Sequence, residues 1–146
     1  MKDLYSHISI KQAIAPILVL DATVPAAVDV DLAGCNSAVI EISNAEKPVG
    51  DTGTITLAIT HADDTGAGVA GSYTNVAAAD ILGATPASGV VFTLATALQL
   101  AAVTKVGYVG GKRFIKLTLA EANANSTGTI IGINVIESHL LDVPAI

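Results

Sequence analysis

Residues 54–60, Thr54-Ile55-Thr56-Leu57-Ala58-Ile59-Thr60, read "TITLAIT". Apolar side chains fall at 55, 57 and 59 and threonines at 54, 56 and 60. A period of two is the signature of a strand with one buried face, and β-branched residues suit the pleated surface. The flanks are turn chemistry. "NAEKPVGDTG" (44–53) precedes the stretch, and the glycine-rich "HADDTGAGVAGS" (61–72) follows it as a loop running from His61 to Ser72. Gly, Asn, Asp and Ser supply the turns between strands.

The same period recurs on both sides. In "NSAVIEIS" (36–43), Ala38, Ile40 and Ile42 share one face, against Val39, Glu41 and Ser43. In "KRFIKLTLA" (112–120), Arg113, Ile115, Leu117 and Leu119 alternate with Lys112, Phe114, Lys116 and Thr118, and the sequence leaves open which face is buried. "GTIIGINVIES" (128–138) is apolar on both faces, which predicts a central or doubly packed strand. Val90–Leu94 and Thr104–Val109 also read as strands, and the part between them as a strand or a helical turn. "SYTNVAAADILG" (72–83) reads as a short strand and then a brief turn or helical segment. Many short strands between turn clusters predict an all-β single domain, either an antiparallel β-sandwich or a jelly-roll-like barrel. Pro16 and Pro25 favour extended chain, so residues 1–20 are expected to form an extended N-terminal arm before a β-sandwich domain at 21–146.

Composition narrows the function. With 146 residues the chain buries roughly 70% of its unfolded surface and needs no disulfide or metal to fold. Its single cysteine rules out an internal bridge. A net charge of -6 with seven Lys and Arg is poorly suited to phosphate backbones, which are bound by clustered cations. "LAGC" (32–35) has the form of a lipoprotein cleavage site, but Asp21, Asp29 and Asp31 stand where the apolar segment should run. Each would cost about 2.5–3.5 kcal/mol at the centre of a membrane helix, so the chain is expected to carry neither lipid anchor nor membrane span.

The candidate chemistry is sparse. His61, Asp63 and Asp64 in "HADD" lack the spacing of a calcium loop or the further ligands of a zinc site. "GYVGGKR" (107–113) has a Gly-Gly-Lys, but a phosphate loop would require Gly at Val106 and Ser or Thr at Arg113. It reads instead as a hairpin turning at Gly110-Gly111. Asn125-Ser126-Thr127 is a formal glycosylation sequon. No nucleophile has a local partner base, so no catalysis, cofactor or metal is expected.

Several segments together resemble a family of small tailed-phage virion proteins. They are "QAIAPILVLDAT" (12–23), "VDLAGCNSAVIEIS" (30–43), "HADD" with "SYTNVAAADILG", and above all "KVGYVGGKRFIKLTL" (105–119). Phe114 and Lys116 stand where that family often has Tyr and Arg, and the glycine loop at 65–72 is longer. The resemblance implies a capsid decoration (cement) protein, homotrimeric, on the outside of the head, with the major capsid protein as partner and the host cytoplasm as its place before assembly. A tail-tube, head–tail joining or spike subunit is the alternative; a carbohydrate-binding sandwich fits less well with no Trp and three Tyr. The segment Met1–Gln12, with Tyr5, His7, Ile8 and Lys11 as anchors, is expected to lie on the capsid or a neighbouring subunit by adding to a sheet edge. Tyr108, Lys112 and Arg113 of the expected hairpin complete the candidate interface.

Overall fold

In the computed structural model, which describes residues 7–21, 23–95, 100–123 and 127–138, the 54–60 stretch lies within β4 (Thr54–Ala62). Ile55, Leu57 and Ile59 are fully buried, and the threonines between them face outward. Among the described residues there are nine other strands: β1 (Ile8–Val19), β2 (Val28–Asp31), β3 (Ser37–Asn44), β5 (Thr74–Asn75), β6 (Ile81–Leu82), β7 (Val90–Leu94), β8 (Ala102–Tyr108), β9 (Phe114–Ala122) and β10 (Thr129–Ser138). A 3-10 turn at Ala78–Asp80 joins β5 to β6.

The strands form two five-stranded antiparallel sheets packed as a sandwich, not a closed barrel. The first sheet has the order β1-β10-β3-β8-β6; the second has β2-β9-β4-β5, with β7 also paired to β4. Between successive strands the chain changes sheet at every junction except β4 to β5. The core lies between the inward faces: Ile40 and Ile42 of β3 and Ile131, Ile133 and Val135 of β10 meet Ile115 and Leu117 of β9 and the β4 residues, all fully buried. Each such side chain contributes about 1.5–3 kcal/mol on leaving water. In β9 the open question of facing is settled for Ile115, Leu117 and Leu119, while the outward Lys116 pairs with Asp29 at 3.3 Å.

The segment 105–119 requires a correction. β8 and β9 do not form a hairpin: β8 pairs with β3 and β6, and β9 pairs with β2 and β4. Residues 109–113 instead carry the chain from one sheet to the other. The expected loop at 61–72 also begins later, since His61 and Ala62 belong to β4 and are buried.

From Ile8 onward the N-terminal segment is the outer strand of the first sheet, paired along its length with β10, so that Ile8 lies opposite Ser138 and Val19 opposite Thr129. The register slips on either side of Ile14. Pro16, which has no N–H for a ladder, occupies this irregular edge. It packs over Gly132, where an added Cβ would lie 3.2 Å from the Pro16 ring. Residues 1–6, including Tyr5, lie outside the described residues, as do 96–99, Asn125 and Ser126 of the sequon, and the tail 139–146.

Candidate functional site

The register places the candidate residues at one end of the sandwich. Ser37 pairs with Ser138, Ala38 with Tyr108, Ile8 with Ser138, and Ala62 with Phe114. The loops 32–36, 63–73 and 109–113 therefore converge at this end, and "HADD" and "GYVGGKR", far apart in sequence, meet there.

Arg113 is the hub. Its Nε and Nη2 donate to Asp31 Oδ1 and Oδ2 at 2.8 and 2.7 Å, a bidentate fork, while Nη1 donates to Asp64 Oδ2 at 2.6 Å. The guanidinium lies 5.0 Å from the centre of the Phe114 ring. It also lies against Gly68, at φ 77°, where a Cβ would come within 3.3 Å of Nη2. A planar fork matches carboxylate geometry in a way that a lysine does not. Lys112 binds Asp63 through Nζ.

The 63–71 loop is tightly folded. Asp64 Oδ1 accepts from the Gly66 and Val69 amides at 2.9 and 3.2 Å, Thr65 N–H donates to Val69 O at 2.9 Å, and Gly71 N–H donates to Asp63 O at 2.8 Å. The Arg113 fork holds the Asp31 carboxyl below its usual range, against a smaller opposing effect of burial. The Gly66 amide does the same for Asp64, with Arg113 adding to it.

Beneath this rim the two sheets are tied through the core. Tyr108 of β8 is 1% exposed, and its hydroxyl lies 3.1 Å from His61 Nδ1 of β4, with the rings edge to face at 6.0 Å. Burial pushes the Tyr108 hydroxyl up to about 12. At the open side, Lys11 of β1 spans the sheets, donating to Glu137 Oε1 at 2.5 Å and to Asp31 O at 3.0 Å.

Of the seven residues expected at an interface, Lys11, Lys112 and Arg113 are thus brought together around Asp31, Asp63 and Asp64. His7 is exposed and Ile8 half-buried at the start of β1. Tyr108 is a core residue, so its ring is not on the surface. Asp31 and Glu137 were not expected at the site. The alternation in β4 did carry one further signal: residue 61 shares the parity of 55, 57 and 59, which places His61 inward.

The contacts of this rim are ion pairs and hydrogen bonds. Each cation of the rim already has a carboxylate partner. Cys35, beside an open hollow of about 430 Å³ lined by residues 32–36 and 110–113, donates its thiol to Leu32 O at 3.1 Å. Burial, with a contribution from Glu137, pushes that thiol up to about 11, so it is protonated at neutral pH and a poor nucleophile. Among the described residues, no three His, Cys, Asp or Glu side chains gather where a metal ion would sit. Compared with known proteins, the chain matches no family model, no curated protein and no solved structure.

Proposed function

We propose that this chain is a non-enzymatic decoration protein of a tailed-phage head, bound to the outer surface of the shell and bridging capsomers. One observation carries the reading. The two segments that bear much of the resemblance, 61–64 and 107–113, form one unit, joined by Asp64–Arg113, Asp63–Lys112 and His61–Tyr108. A sandwich end held by such contacts is a stiff platform, and a stiff platform loses little conformational entropy when it docks.

The shell-facing surface in this reading is that end, with His7, Ile8, Lys11, Lys112 and Arg113 and the exposed Val69 and Val109 on its rim. Stabilisation is by mass action: a protein that binds only the assembled shell favours that state by its binding free energy. Repetition over the shell multiplies modest contacts, and an oligomer engaging several capsomers at once gains avidity. The negative net charge favours solubility before assembly and disfavours the DNA-facing interior.

The test uses heads purified from phage lacking this reading frame. Added protein is expected to co-sediment saturably, in numbers comparable with the major capsid protein, and to raise the temperature at which heads break. Protein that stays in the supernatant overturns the proposal. Binding in only a handful of copies overturns it in favour of a tail or connector role.

A further inference from the structure

The outward face of the first sheet carries a row that crosses all five strands. Paired positions run Ile10 (β1), Ile136 (β10), Val39 (β3), Gly107 (β8) and Leu82 (β6). Ile10 is 62% and Leu82 59% exposed. Val39, Leu82, Gly83, Lys105 and Gly107 line an open hollow of about 240 Å³ in this row. The adjacent row is polar: Gln12, Asn134, Glu41 and Lys105. Val103, 71% exposed, lies beyond it on β8. The second sheet's outward face differs, presenting Thr54, Thr56, Thr60 and Thr118 around the Asp29–Lys116 pair.

We infer that this face is the interface of a homodimer, in which a second copy packs sheet to sheet about a two-fold axis running along the strands between β3 and β8. Charge selects both the occupant and the axis. Glu41 and Lys105 sit at equal distances on either side of that line, so the rotation sets Glu41 of each copy against Lys105 of the other. Rotation about an axis across the strands would instead set Glu41 against Glu41, and like charges across an interface are costly.

Shape agrees with the same axis. The rotation sets Val39 against the hollow beside Gly107, which the Leu82 side chain borders (a Cβ at 107 would lie 3.2 Å from Leu82 Cβ), and Leu82 against Ile136. Lys105 makes no ion pair among the described residues of its own chain, which leaves it for Glu41 of the second copy, a carboxylate whose Oε2 also accepts from Asn134 Nδ2 of its own chain at 2.6 Å. Sheets stacked this way keep their strands within about 30° of each other. Five strands at about 4.8 Å spacing and about 20 Å long project a face of roughly 500 Å², and with β6 only two residues long and the adjacent row polar, the apolar part is small for a stable interface. The dimer is therefore expected to dissociate on dilution. This inference does not depend on the capsid reading: the interface lies on a sheet face, away from the end proposed to meet the shell.

Sedimentation equilibrium of the full chain over a range of concentrations tests it. The expected result is a monomer–dimer equilibrium weakened by salt. Glu41→Lys alone and Lys105→Glu alone should each weaken self-association about tenfold or more; each also sets like charges opposite one another across the β3–β8 ladder of its own chain and lowers the melting temperature slightly, so the mixture of the two variants carries the test. The two single variants mixed together should dimerise, because the two introduced charges then face each other with opposite sign, as do the two charges left unchanged. The double variant E41K/K105E should recover the parent's association. A monomer at every concentration, which would leave the face to residues 139–146 or to another protein, overturns the inference. So does a trimer, the state that the resemblance to phage virion proteins implies, or a dimer that both single variants leave intact.

Discussion

The two ends of the sandwich hold their charges in opposite ways. At the end described above, Arg113, Lys112, Asp31, Asp63 and Asp64 pair with one another in partial contact with water. At the other end, where β3 and β9 finish and β4 and β10 begin, two ions are buried and bind the main chain. Lys47 is fully buried and donates from Nζ to Gly53 O and, at 3.4 Å, to Ala95 O. Asp51, 1% exposed, accepts from the Thr127 and Gly128 amides at 3.2 and 3.0 Å. Lys47 thus joins the 45–53 loop to the end of β7, and Asp51 joins it to the start of β10. Exposed ion pairs contribute about 0–1 kcal/mol each, whereas a buried polar group left without its partner costs about 1–3 kcal/mol. Stability should therefore reside more in the buried end than in the exposed one.

The sharpest way to break this contrast is at Asp51 and Lys47. Asp51→Ala strips the buried Gly128 amide and the part-buried Thr127 amide of a charged acceptor and should lower unfolding free energy by about 2–3 kcal/mol. Lys47→Ala removes the donor for two carbonyls and opens a cavity, costing about 2 kcal/mol. Lys47→Met keeps the volume and removes the buried charge, so it should cost clearly less than Lys47→Ala. Urea unfolding checks all three. Losses below about 1 kcal/mol at both sites would erase the distinction between the ends.

Between the two extremes lies the His61–Tyr108 contact, inside the core of the otherwise exposed end. Tyr108→Phe removes the hydroxyl's bond to His61 Nδ1 at 3.1 Å and its longer contacts with the Lys112 N–H and C=O at 3.3 and 3.4 Å, and should cost about 1–2 kcal/mol at neutral pH. The pH dependence is more informative. The Tyr108 hydroxyl ionises near 10.0 when unfolded and near 12 when folded. Its contribution is present below pH 10.0 and is lost as pH rises from there towards about 12. Tyr108→Phe should flatten part of that alkaline decline, leaving the share of Tyr73, which burial also pushes up to about 12. An unchanged alkaline profile would show that Tyr108 is not held as described.

How far the sequence revealed this arrangement depends on the kind of information involved. Parity is local, so the inward residues of β3 and β4 could be read directly, as could the doubly apolar β10. Pairing is not local. Gly110-Gly111 between two alternating segments is compatible with a hairpin and equally with a crossing between sheets, because a turn signal says that the chain reverses and not which strand each arm joins. His61 shows the cost of weighting composition over parity: the acidic, glycine-rich neighbours suggested a loop, although the β4 alternation already placed it inward. Lys47 and Asp51 gave no signal at all. In "NAEKPVGDTG" they look like solvated turn residues, and only contacts with Ala95, Thr127 and Gly128, distant in sequence, reveal them as buried. The Arg113 fork was half legible, since Arg113 was expected at an interface while Asp31 stood out only as an obstacle to a signal peptide.

The smallest expected effects belong to the exposed end, and they separate Arg113 from Lys112. Arg113 binds two carboxylates, lies over Phe114 and packs on Gly68, so Arg113→Ala loses packing as well as charge and should lower the melting temperature by about 2–4 °C. Lys112→Ala removes one pair with an exposed Asp63 and should shift it by less than about 2 °C. Acid distinguishes them further. Asp31 and Asp64 both titrate below their usual 3.8 in the folded chain, so what Arg113 gains from them is present above that value and disappears as pH falls through the lower folded values. The stability gap between parent and Arg113→Ala should accordingly be constant from about pH 7 to about 5 and narrow below about 4. Added salt should narrow it further at neutral pH. A gap insensitive to both would mean that Arg113 acts through its contacts with Phe114 and Gly68 alone, and the exposed end would then be held by packing, as the core is.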